Sequence, residues 1–125
     1  MDILPLERRA VTIIAWITVV TGTSQLLMAE RLLPLLAVTP TLAAGQLFAT
    51  VGMFMVLFGG AVLHAQASRA ALPVVLLWAG LQKLGAAALV GWGVMQGIFS
   101  PLALLVAVFD FASGVLFFDL QRRGG

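Results

Sequence analysis

Four long apolar runs, separated by short polar or proline-containing stretches, organise this chain of 125 residues. A helix needs roughly 20 apolar residues to cross a hydrocarbon core about 30 Å thick. On that length the pattern predicts spans over residues 10–29, 42–63, 70–95 and 101–120, forming a single transmembrane domain over residues 1–125. The first run follows a polar start that ends in Glu7, Arg8 and Arg9. A basic start and an apolar core also describe a secretory signal peptide, but Leu27-Met28-Ala29 lacks the A-x-A cleavage pattern. The segment therefore reads as a span of the mature protein.

The connections carry their own signals. Residues 32–38 are apolar but too short to cross, and Pro34 interrupts them, so this stretch is expected to lie in the membrane interface. Thr41 is a plausible N-cap for the second span. Residues 64–69 read as a polar link, and Ser100-Pro101 as an N-cap followed by proline in the first helical position.

Each span carries a small or polar stripe. Thr18, Thr21, Gly22 and Gln25 fall on one face of the first. Gly45, Gly52 and Gly59 recur at a spacing of seven in the second. Gly80, Lys83 and Ala87 share a face of the third, and Ala103, Ala107, Asp110 and Gly114 one of the fourth. Small residues let neighbouring helices approach closely in a membrane, and polar ones need partners there. These stripes should converge, giving an all-α integral membrane protein folded as an antiparallel bundle of the four transmembrane helices.

Composition agrees with the pattern. The chain is 62% hydrophobic and 10% charged, against about a quarter charged in soluble proteins, and its mean hydropathy is +1.11. Its net charge of +2 rests on arginines near helix ends, which suit lipid headgroups and not nucleic acid. Four spans place Arg8, Arg9, Arg69, Arg122 and Arg123 on one side against Arg31 on the other. Basic residues favour the cytoplasm, so both termini are expected there, in a membrane of the bacterial inner type.

Lys83, with Gln82 beside it, and Asp110 are the candidate chemistry. An unpaired charge at the bilayer centre costs at least about 2.5–3.5 kcal/mol. Lys83 and Asp110 sit at depths within about 5 Å, one helical turn, and can meet. Such a pair fixes the packing and register of two helices, or relays protons or ions, or awaits a partner subunit or ligand. Gln25 and Gln46 lie near the outer ends of their spans and with Thr21 are candidates for a small polar pocket, or else for interhelical hydrogen bonds. His64 is the one histidine and there is no cysteine, so haem or pigment ligation would need a second ligand from elsewhere, and neither a cofactor nor a metal is expected. A non-enzymatic subunit of a homo-oligomer or larger membrane complex is the leading expectation. A small oligomeric transporter or channel using Lys83, Asp110 and Gln82 is the alternative.

Overall fold

A computed structural model describes residues 3–124. Met1 and Asp2, in the polar start, and Gly125 lie outside the described residues. Five helices follow one another: α1 (Leu4–Leu27), α2 (Ala29–Leu36), α3 (Leu42–Ser68), α4 (Leu72–Met95) and α5 (Ala103–Arg122). Four of them, all but α2, are long and apolar enough to cross a membrane. Their outward side chains are large and apolar, with Leu27, Leu42, Leu89 and Met95 each more than 70% exposed. Trp16, Trp78 and Trp92 also point outward, so none of the three tryptophans packs inside. A surface of this kind suits hydrocarbon, where no backbone group outside a helix would find water.

Several boundaries differ from the sequence expectation. The first span begins at Leu4 and not at residue 10, with Pro5 in its first turn, where its missing N–H would be unbonded anyway. Glu7 is buried within that turn. The second span runs on to Ser68, so His64 lies inside α3 and not in a polar link. Two contacts draw the helix onward: Ala65 is buried in the core, and Gln66 Nε2 donates to Thr12 Oγ1 of α1 at 2.7 Å. The link to α4 shrinks to Arg69–Ala71, with Arg69 and Ala71 both left-handed at φ 58° and 55°. Non-glycine residues reach that region at a cost of roughly 1–2 kcal/mol each, which a reversal this tight requires.

At the other end Thr41 caps α3 by accepting from the Ala44 N–H at 3.1 Å. Residues 32–36 are the greater part of a helix, α2, and Pro34 stands inside it without ending it. Ser100 does not cap α5, which begins at Ala103. Its N–H donates to Leu36 O at 2.7 Å and its hydroxyl to Leu35 O at 2.8 Å. With the Val38 N–H donating to Ile98 O at 3.0 Å, these bonds strap the end of α2 and the segment after it to the loop before α5.

Packing is uneven. α1 lies chiefly on α3 and α4 chiefly on α5, with lighter contact between the two pairs. Gly22 and Gly52 form the closest approach in the first pair: a Cβ on Gly52 would stand 2.6 Å from Gly22 O and 2.9 Å from Leu26 N. Gly59 lies against Ala15 and Val19 of α1 in the same way. Gly45, which shares their spacing of seven, has open space around it. All four long helices meet in one cluster, comprising Val11, Ala15, Val62, Ala65, Leu72, Leu76, Ala79, Phe117 and Leu120. Its residues come from the start of α1, the end of α3, the start of α4 and the end of α5, the half of the molecule near Glu7.

Replacing Gly52 by alanine therefore pushes a methyl into backbone, and Gly52→Ala is expected to lower the melting temperature in mild detergent. Gly60→Ala, on the same helix but in open space, should be neutral or stabilise by about 0.5–1 kcal/mol through helix propensity. Equal melting temperatures for the two variants would refute the close α1–α3 contact.

Candidate functional site

The inward face of α1 is a stripe of Glu7, Val11, Ala15, Thr18, Gly22 and Gln25, spaced by four or three residues throughout. α5 presents Ala103, Ala107, Asp110, Gly114 and Phe117 with the same spacing. On α4 the buried positions run through Leu72, Leu76, Ala79, Gly80 and Lys83, after which none is buried until Gly93. Lys83 thus stands where the packed core of α4 ends.

There the three stripes meet. Lys83 is 3% exposed, Thr18 2% and Asp110 8%. Lys83 Nζ donates to Thr18 Oγ1 at 2.7 Å and to Asp110 Oδ1 at 3.3 Å, forming a salt bridge. Thr18 in turn donates its hydroxyl proton to Ile14 O at 2.8 Å, so the oxygen's lone pairs are aimed outward from α1 towards the ammonium. The Phe109 ring lies 5.2 Å from Nζ at its centroid, a distance at which its π face attracts a cation. The arrangement couples one cation, one carboxylate and one hydroxyl across α4, α5 and α1. Chemically it neutralises the cation where water is scarce, and it offers a proton-exchanging pair.

Gln82 belongs to the same neighbourhood. Its Oε1 is buried without a hydrogen-bond partner in the protein, and it lines a small cavity with Thr18, Lys83, Phe58 and Ala79. The outer polar candidates are dispersed by comparison. Gln25 is buried and its Nε2 donates to Phe48 O of α3 at 3.2 Å, whereas Thr21 and Gln46 are exposed. Among the described residues no hydrogen bond joins the three. Of the remaining glycines, Gly80 faces Phe117 and Phe118, and Gly114 faces Leu84 and the Gly80 carbonyl. His64 is exposed, and among the described residues no three His, Asp or Glu side chains gather as a metal site.

Two features escaped the sequence. Thr18 as the shortest contact of Lys83 was visible only as one of several polar residues on a face. The second is Glu7, which is buried and pairs with Arg123 Nε at 3.1 Å, joining the start of α1 to the end of α5. Arg123 also reaches Asp119 at 2.9 Å, and Arg122 reaches the other oxygen of Asp119 at 2.7 Å. The spacing of Glu7 by four from Val11 and eight from Ala15 was the available signal. No protein-family model, curated protein or solved structure matches this chain.

Two mutational outcomes follow from these contacts. Thr18→Val removes a hydroxyl from a buried cation and should cost about 1.5–3 kcal/mol, with Thr18→Ser recovering most of it; thermal unfolding in detergent measures both. Arg122 is 73% exposed at its side chain and serves Asp119, so Arg122→Ala should change stability by less than about 1 kcal/mol. Arg123→Ala strands a buried carboxylate and should cost more, about 1–3 kcal/mol by the same assay.

Proposed function

We propose that this chain is a non-enzymatic integral membrane subunit, an antiparallel bundle whose termini both face the cytoplasm, in which Lys83 locks the helices in register. The observation that carries the reading is the three-helix node of Thr18, Lys83 and Asp110. A charge is expensive in a membrane interior, and this one binds to two other helices and lines a small cavity. The antiparallel arrangement is supported by the order of contacts. Thr12 meets Gln66, Ala15 meets Gly59, Gly22 meets Gly52 and Gln25 meets Phe48, so that ascending α1 descends α3. Orientation rests on the arginine bias.

A subunit role in a homo-oligomer or larger complex is supported by small-residue positions left without a neighbour. Gly45, Gly60, Gly85 and Gly91 each face open space, and small residues are what membrane helices use to approach one another. The second reading, a small oligomeric transporter or channel, draws on the confinement of the four-helix core to one half. Lys83 and Asp110 sit at the inner limit of that core, where a pathway entering from the other half would end.

Replacement of both charges separates the readings. Lys83→Met or Asp110→Leu alone leaves its partner buried and unpaired, and should destabilise by about 3–5 kcal/mol. The double variant should unfold later than either single one, and should still co-purify with the same companions by native mass spectrometry. A double variant no more stable than the singles would sink the lock. One that folds normally yet abolishes a transport activity present in the wild type would favour the pathway.

A further inference from the structure

The node described above leaves two complementary groups without a hydrogen-bond partner in the protein, and the residues that carry them line one cavity. Lys83 is an ammonium with three N–H donors. Thr18 Oγ1 and Asp110 Oδ1 take two of them. Gln82 Oε1 is a buried acceptor with no donor from the protein. Thr18 Oγ1 accepts once and donates once, so one lone pair remains to it.

Lys83, Gln82 and Thr18 all line one cavity, with Ala79 forming another part of its wall. About 10 Å³ of it is open to the centre of a water molecule, which meets the lower bound of roughly 10–15 Å³ for holding one. The space is too small for an anion or an organic ligand, and the ammonium repels a metal ion. A water bound inside a protein needs two to four polar partners. The residues that line this cavity carry one unused donor, on Lys83, and two unused acceptors, on Gln82 and Thr18.

We propose that the cavity is a binding site for a single water molecule, which accepts from Lys83 Nζ and donates to Gln82 Oε1 and Thr18 Oγ1. The site deepens the lock reading and rests on Lys83 being charged. With the water in place the ammonium has three oxygen acceptors, from α1, from α5 and from the solvent molecule. Gln82 then acts as a positioning residue, since it holds the water and not the cation. Its place next to Lys83 in the sequence follows from this: adjacent side chains point about 100° apart on a helix, and a bridging molecule is needed to span them.

Lys83 is the only lysine in the chain, so labelling with 15N-lysine gives one side-chain ammonium signal. The test is magic-angle-spinning NMR of the full chain in lipid bilayers, reading polarisation transfer from water protons to Lys83 Nζ. The wild type should show transfer, and Gln82→Met, which keeps the side chain's length without its acceptor, should lose most of it. If Gln82→Met does not fold, Ala79→Val narrows the cavity from another wall with Gln82 intact, and the same loss is expected. A wild-type ammonium that receives no polarisation from water overturns the proposal, as does undiminished transfer in either folded variant. The stabilities of the charge-replacement variants judge the lock separately, whatever the water signal shows.

Discussion

An ammonium group placed among apolar helices must be given acceptors, and in this molecule that requirement ties together elements that otherwise touch lightly. α1 rests on α3 and α4 on α5. Lys83 belongs to the second pair and takes its shortest hydrogen bond, 2.7 Å, from the first. A buried ion pair is no stronger than good apolar packing of the same volume, and often weaker. What it adds is direction. A leucine at position 83 would accept many helix rotations, while an ammonium accepts only those that bring Thr18 and Asp110 within reach.

That need for direction follows from the solvent. Lipid chains are as apolar as leucine side chains, so there is little hydrophobic force to collapse one membrane helix onto another. The chain answers with different contacts at different levels. Near Glu7 the four long helices interdigitate around Leu76 and Phe117, and Arg123 links the carboxylates of Glu7 and Asp119. At mid-height the polar node holds α1, α4 and α5. Beyond it, α1 and α3 stay together through the bare backbones of Gly22 and Gly52, and the bonds from Ser100 to Leu35 and Leu36 join the far ends of the two pairs. The same far-end half lacks a shared four-helix core, so the strap and the node bound its freedom from either side.

Much of this was legible in the sequence because the bilayer imposes a length and a polarity on every span. The four apolar runs became the four long helices, and Lys83 and Asp110 formed a pair, since a lone charge in such a run has few solutions. The termini of the helices were less legible. Glu7, Arg8 and Arg9 look like a polar leader, yet they are helical, because Arg123, over a hundred residues away, pairs with Glu7. His64 looks like a link residue, yet Gln66 finds Thr12 and carries the helix past it. Ser100 before Pro101 has the form of a cap, but its hydroxyl meets Leu35. In each case a long-range hydrogen bond or ion pair decided the local structure, and no window of sequence contains both partners. The glycine stripe failed differently: a spacing of seven marks a face, but Gly45 lies where α1 is no longer opposite.

The two contacts of Lys83 also bear on whether the node is a lock or a relay. The hydroxyl contact at 2.7 Å is shorter than the ionic one at 3.3 Å, although charge-assisted pairs usually draw to about 2.7–2.9 Å. The ammonium is therefore placed by the Thr18 dipole at least as firmly as by the carboxylate. Thr18 cannot turn away cheaply, since its own proton is held by Ile14 O. Asp110 is the partner with latitude. A change in its protonation would weaken one contact of Lys83 and leave the other, so the cation would stay anchored to Thr18 of α1. Any mobility at this node thus belongs to the Asp110 side chain and not to α5 as a body, since α4 rests chiefly on α5, with Gly80 against Phe117 and Gly114 against Leu84. A relay built on this node would have to work by that motion, whereas a lock requires only that it not occur.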